Sequence, residues 1–406
     1  MQKRGAYFFP IILIMSIVFG GITGYYFGEY TSYLKPIGEI FLNLIFTAIV
    51  PLIFFSISSA ISRSGAAGKL SKIIFYMAIV FIFTSLIAAL YTLFIVKMFP
   101  PAQDVQLPLT LSTPTSNVSF SSQIVGIFTV PNFSQLLSHE HILALILFSI
   151  LVGLATGKST EKGSAFSIFL QAGEEVFMRV FSIIMYYAPL GFFAYFAVLV
   201  HELGPKLMES YLKITILYYV FAFLYFLIAF TFYAYLAGRK QGVKLFWRNI
   251  FLPMVTSIAT CSSAASIPAN LLATKKMHVS PEIYETAVPL GMMIHKDGSV
   301  IGGMFKIAFL FGIFHISFSG VSVLLTAIGI SILVGTVMGA IPSGGMIGEL
   351  LILSAYGFPP SVLIAIAAIS IIIDPLATMI NVICNSVSSL MIARLVDGKD
   401  WLVKLS

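Results

Sequence analysis

The sequence predicts an all-α polytopic membrane protein, and three observations carry that prediction. Of its 406 residues, 59% are hydrophobic and 10% are charged, where a soluble globular domain carries roughly 25% charged residues. Mean hydropathy is +1.00. Apolar runs of about 20 residues, the length that crosses a bilayer, recur over residues 9–28, 37–61, 73–98, 141–156, 172–200, 210–236, 282–316 and 360–395. This composition excludes a water-soluble enzyme and leaves no room for a soluble domain between the runs. The expected architecture is eight transmembrane helices plus two oppositely oriented re-entrant helical hairpins, arranged as inverted repeats.

The first run has no small-residue cleavage site and leads directly into more membrane sequence, so it reads as a retained span. Net charge is +7, but in a membrane chain the placement of Lys and Arg says more than their sum, and it points to lipid and not to nucleic acid. Most basic residues, among them Arg63, Lys69, Lys158, Arg239, Lys275 and Arg394, fall on the side that holds the N-terminus. Lys35, Lys97 and Lys206 fall on the other. The asymmetry predicts both termini in the cytoplasm and a multi-pass protein of the cell inner membrane. Pro100–Asn132 is rich in Pro, Ser and Thr and reads as an outer loop. Cys261 and Cys384 show no metal-ligand or redox spacing, and both read as packing residues. Arg179, Glu174, Glu175 and Lys306 read as structural charges.

The second half repeats one plan twice in opposite orientation. An apolar arm leads to Thr260-Cys261-Ser262-Ser263-Ala264-Ala265-Ser266, a second arm, and a span broken at His295-Lys296-Asp297-Gly298-Ser299. Another arm leads to Gly339-Ala340-Ile341-Pro342-Ser343-Gly344-Gly345, a second arm, and a span interrupted near Asp374-Pro375. The arms are too short for comfortable spans, so each pair reads as a hairpin that enters and leaves on one side. Irregular backbone at membrane depth is tolerated where it is buried or lines a cavity, and paired interrupted segments point to a transporter's binding site. A plain helix-packing interface of small residues would leave the polar breaks unexplained.

On these residues the chain resembles the glutamate and dicarboxylate/amino acid:cation symporter family. The resemblance rests on Val130-Pro131-Asn132, Tyr187-Ala188-Pro189-Leu190-Gly191, the serine-rich first tip, Pro289-Leu290-Gly291 followed by Asp297-Gly298-Ser299, the Pro342–Gly345 tip, and Asp374 to Asn381. It implies a homotrimer working by an elevator mechanism. Residues 1–72 would form scaffold spans one and two, and 73–98 transport-domain span three. Residues 99–209 would hold the outer loop and scaffold spans four and five. Residues 210–406 would complete the transport domain, with hairpin 1 at about 247–276, span seven at about 282–316, hairpin 2 at about 321–357 and span eight at about 360–395.

Carried onto matching positions, the resemblance implies a small-molecule substrate, an amino acid, held by Ser262, Ser263, Ser299, Ile341, Pro342, Gly345, Asp374, Ala377, Thr378 and Asn381. Asp374 would receive the substrate ammonium. Acidic-substrate carriers place an arginine at positions that are Ala377 and Cys261 here, so a neutral amino acid is expected. The cation positions correspond to Thr84, Ser85, Met293, His295, Lys296, Asp297 and Asn385, and several have lost the oxygen that a hard cation needs. The expectation is a transporter with no cofactor and no sodium requirement, in which Lys296 neutralises Asp297, with Asp374 as a further carboxylate it would pair, and with proton coupling left open. The rival readings are a sodium- or proton-coupled carrier of dicarboxylates or acidic amino acids, an anion channel, and an intramembrane serine hydrolase built on Ser262, Ser263, His295 and Asp297.

Overall fold

Helices make up all the regular structure among the described residues, as a chain that must satisfy its backbone polar groups in lipid requires. A computed structural model of the chain describes residues 8–62, 69–102, 129–138, 141–159, 161–203, 206–338, 345–398 and 401–402. The long helices are α1 (Phe8–Phe27), α2 (Lys35–Ser62), α3 (Lys69–Met98), α4 (Ile142–Lys158), α5 (Glu161–Leu203) and α6 (Lys206–Asn249). Shorter ones follow: α7 (Phe251–Thr260), α8 (Ser263–Lys276), α9 (Pro281–Ile294), α10 (Asp297–Ile313), α11 (Val321–Val337) and α12 (Gly345–Tyr356). The last, α13, runs from Leu363 to Asp397. Among the described residues, Ile11–Ser59, Lys72–Met98, Gly163–His201, Glu209–Asn249 and Pro360–Asp397 are long and apolar enough to cross a membrane. Most of the Pro100–Asn132 loop and the outer tip, with Ile341 and Pro342, lie outside the described residues.

Two packing groups organise the helices. α1, α2, α4 and α5 pack on one another, while α3, α6–α10 and α12 pack against α13, and α11 packs on α3, α9, α10 and α12. The middle and C-terminal parts of α13 are buried on every side, which matches a sequence that is apolar around the whole helix and not along one stripe. Its few polar side chains therefore face other helices and need partners there.

Local chemistry sets where the short helices begin. Ser262 is the N-cap of α8, its Oγ accepting the Ala265 N–H at 3.2 Å. Pro281 stands at the first turn of α9, where its missing N–H costs nothing. Between α9 and α10, His295 and Lys296 are extended (φ −135°, ψ 112° and φ −147°, ψ 83°). The break is thus shorter than the His295–Ser299 stretch the sequence suggested, because Asp297 already opens α10, where its charge suits the positive helix end. A second correction concerns Asp374-Pro375. α13 passes through Pro375 without a break, since the proline deletes one N–H, to the Ile371 carbonyl, and dense packing holds the rest of the helix.

Candidate functional site

α8, α10, α12 and α13 converge on a cavity of about 510 Å³, within the range of small-ligand pockets. From the turn between α7 and α8 it is lined by Thr260, Cys261, Ser262 and Ser263, and from the α9–α10 break and α10 by Lys296, Gly298, Ser299 and Lys306. Gly345 and Glu349 of α12 contribute, as do Ser370, Asp374, Ala377, Thr378 and Asn381 of α13. Positions 370, 374, 378 and 381 follow helical spacing, so one face of α13 carries its polar lining.

The lining is held by reciprocal bonds. Asn381 Nδ2 donates to Ser299 Oγ at 3.0 Å, and the Ser299 N–H donates to Asn381 Oδ1 at 3.0 Å, which clamps α10 to α13. Gly298 permits this approach, because a Cβ there would stand 2.5 Å from the Ala377 carbonyl oxygen. Tyr218 of α6 donates to the Gly298 carbonyl at 3.0 Å. Thr378 Oγ1 donates to Asp374 Oδ1 at 2.9 Å, leaving Oδ2 for another donor. Lys296 is 5% exposed and lines the cavity. Among the described residues its ammonium makes no ion pair, although Asp374 faces the same space.

A second wall of the cavity was not foreseen as part of the site. Lys306 Nζ donates to Glu349 Oε1 at 2.6 Å and to Ser370 Oγ at 2.7 Å, and Ser370 Oγ in turn donates to Glu349 Oε1. Both charged side chains are almost fully buried, and among the described residues Glu349 Oε2 has no hydrogen-bond partner. The signal available in the sequence was an acid and a base inside apolar arms, which are expensive there and mark function by default.

Beside the cavity lies a closed polar cluster. His295 Nε2 is 2.7 Å from Thr84 Oγ1 and 3.2 Å from Asp297 Oδ1. Ser85 Oγ donates to Asp297 Oδ1 at 3.4 Å, and Tyr225 to Oδ2 at 3.2 Å. Asn385 Nδ2 donates to the carbonyls of Asn381 (2.7 Å) and His295 (3.2 Å), which turns its Oδ1 toward His295 Nδ1 at 3.1 Å. Both ring nitrogens therefore face an acceptor, and the doubly protonated imidazolium satisfies both. The ring lies flat on Phe81, with centroids 4.0 Å apart and planes 4° apart, a placement that favours a cation. His295, Asp297 and Cys384 bring ligand-type atoms within 4.8 Å of one another, but Cys384 Sγ is already bonded to the Asn381 carbonyl at 3.1 Å. The oxygens of Asp297 are likewise taken by protein donors. Each of these ligand-type atoms thus has a hydrogen-bond or ion-pair partner within the chain.

The structure thus divides the sequence-predicted residues. Ser262, Ser263, Lys296, Ser299, Gly345, Asp374, Ala377, Thr378 and Asn381 share the cavity. Thr84, Ser85, His295, Asp297 and Asn385 share the closed cluster. Met293 joins neither; the sulfur that receives Asn385 Nδ2, at 3.9 Å, is that of Met292. Lys296 does not pair with Asp297 as expected. In extended backbone successive side chains point to opposite sides, so His295 turns into the cluster and Lys296 turns away into the cavity. Cys384 is buried as expected, but Cys261 is half-exposed on the cavity and is not a packing residue. Arg179 forms an exposed pair with Glu175 at 2.6 Å, one helical turn away.

Proteins similar to this chain in sequence are named as symport or transport proteins. Residues 9–395 match the sodium:dicarboxylate symporter family. The chain is 27% identical to a proton/sodium-glutamate symport protein of Bacillus caldotenax, over 97% of this chain and 95% of that one. It is 25% identical to a proton/glutamate-aspartate symporter of Escherichia coli (strain K12), over 94% and 92% of the two chains. It is 23% identical to a C4-dicarboxylate transport protein of Bacillus subtilis (strain 168), again over 94% and 92%. With the matched segment spanning nearly the whole chain, and the apolar helices and polar cavity inside it, this multi-pass membrane protein belongs to the sodium:dicarboxylate symporter family and is a transporter, not an enzyme.

Proposed function

We propose that this chain carries a small amino acid with no net charge across the cell inner membrane without needing sodium. The observation that carries the reading is the His295–Asp297 contact at 3.2 Å, which gives a buried carboxylate a cationic partner built into the chain. The job assigned to Lys296 from sequence passes to its neighbour, and Lys296 becomes available to the substrate. A zwitterion would place its ammonium on Asp374 Oδ2 and its carboxylate between Lys296 and the N-terminus of α8 at Ser262 and Ser263, where helix dipole and backbone N–H groups favour an anion. Two lysines and two carboxylates line the cavity, so its formal charge is balanced and a net-neutral substrate keeps it so.

In this reading α7–α8 and α11–α12 are the two re-entrant hairpins. α1, α2, α4 and α5 form the scaffold of a homotrimer, and α3 with α6–α13 moves as the elevator. Both termini are cytoplasmic. The test is initial-rate uptake of a panel of neutral and acidic amino acids into proteoliposomes, with sodium replaced by choline on both sides. Uptake of a neutral amino acid that persists without sodium supports the reading, and strict dependence on a sodium gradient overturns it. Dependence on an imposed pH gradient would make the carrier proton-coupled.

A second reading is favoured by the Lys296 ammonium itself. Relatives are named for glutamate, aspartate and C4-dicarboxylates, and in an acidic substrate Lys296 would hold the second carboxylate. Competition of aspartate and succinate against neutral amino acids in the same assay separates the two.

A further inference from the structure

Lys306, Glu349 and Ser370 come from three different helices and meet on the cavity wall. On α13, Ser370 lies one turn before Asp374, the proposed seat of the substrate ammonium, so the cluster stands about 5–6 Å along the helix from it. That offset is within reach of the side chain of an amino acid whose ammonium sits at Asp374. The cluster is electrically balanced, yet its hydrogen bonding is incomplete. An ammonium has three N–H donors, and among the described residues Lys306 uses two, on Glu349 Oε1 and Ser370 Oγ. Among the described residues Glu349 Oε2 is buried without a hydrogen-bond partner, and the last torsion of a glutamate is soft enough to present it to a donor.

One spare donor beside one spare acceptor describes the complement of a primary carboxamide. We infer that Lys306, Glu349 and Ser370 form a side-chain subsite that selects an amino acid ending in a carboxamide: its carbonyl oxygen accepts from Lys306 and its NH₂ donates to Glu349. An aliphatic side chain leaves both groups unmet. A carboxylate side chain meets Lys306 but sets its other oxygen against Glu349, a like-charge contact with a Lys306 charge already cancelled. The inference rests on the proposed neutral-substrate reading and specifies the substrate within it.

The experiment uses the full-length purified protein without sodium and measures thermal-shift affinities and proteoliposome uptake for asparagine, glutamine, alanine, leucine, aspartate and glutamate. The wild type is expected to prefer one of the two carboxamides over every other member by at least about tenfold. Glu349→Gln frees the charge of Lys306 and is expected to move that preference toward the matching acid by about tenfold or more. A double Lys306→Leu, Glu349→Leu variant removes the charges together and should still bind alanine while losing the carboxamide preference. Equal affinity of the wild type for alanine and both carboxamides overturns the inference and leaves the neutral-substrate reading standing. A wild type that takes only aspartate or glutamate overturns both. A Glu349→Gln variant that lowers binding of all six by one common factor assigns the cluster to structure and overturns the inference.

Discussion

Replacing His295 by asparagine tests the built-in cation directly. Asp297 is fully buried, and its charged partner is the imidazole at 3.2 Å; Ser85 and Tyr225 supply neutral hydroxyls at 3.4 and 3.2 Å. Removing one partner of a buried ion pair costs about 3–5 kcal/mol, because the other charge is stranded. An asparagine amide that rotates toward Asp297 returns about 1 kcal/mol, so the expected net loss is about 3 kcal/mol. The same substitution places a side-chain oxygen beside Asp297 and Thr84, which is the oxygen-rich surrounding that a hard cation uses. Sodium at about 100 times its dissociation constant would restore about 2.7 kcal/mol, nearly the whole deficit. Thermal unfolding of the purified protein in sodium and in choline measures both numbers: the wild type should unfold at the same temperature in either salt, and His295→Asn should be destabilised in choline and recover in sodium. A wild type stabilised by sodium to the extent expected for the variant would refute the reasoning. So would a variant as stable as the wild type in choline.

Other substitutions probe the cavity. Lys296→Met should weaken binding of a zwitterionic substrate by about tenfold or more while changing thermal stability little, since no close ion pair of Lys296 is lost among the described residues; a large drop in stability of the substrate-free protein would show that the ammonium has a structural partner. Asn381→Ala breaks two bonds to Ser299 and should lower affinity by a factor of about 10–100, with Ser299→Ala smaller because only the side-chain bond is lost; equal effects would mean that the backbone bond adds little. Gly298→Ala drives a methyl to 2.5 Å from the Ala377 carbonyl oxygen and should cost about 1–3 kcal/mol in unfolding free energy, which denaturant titration reads.

Much of this architecture was legible in the chain. Hydropathy and run length identified the apolar helices, and the serine cluster at 260–266 and the polar break after Ile294 marked two segments that the structure places on the cavity. The misreadings have physical causes. Pro375 suggested an interruption because its effect on hydrogen bonding is local and visible, whereas the burial that keeps α13 continuous is set by helices far away in sequence. Lys296 was matched to Asp297 because they are neighbours, but two extended residues before a helix send adjacent side chains apart. The Lys306–Glu349 contact joins residues 43 positions apart on separate helices, and no periodicity within either helix announces it. Tyr225, which completes the shell of Asp297, sits on α6 among many other aromatic residues, so its hydroxyl carries no distinguishing signal in sequence.

Cys261 closes α7 in a left-handed conformation (φ 46°) at the turn into α8 and stands half-exposed on the cavity, while Cys384, the other of the two cysteines, is wholly enclosed. Of the two native thiols, the one on the binding space is therefore Cys261, with no engineering of the background. Protection of that thiol by a bound solute would give a direct occupancy signal, readable by mass in detergent or lipid before any transport assay has been set up.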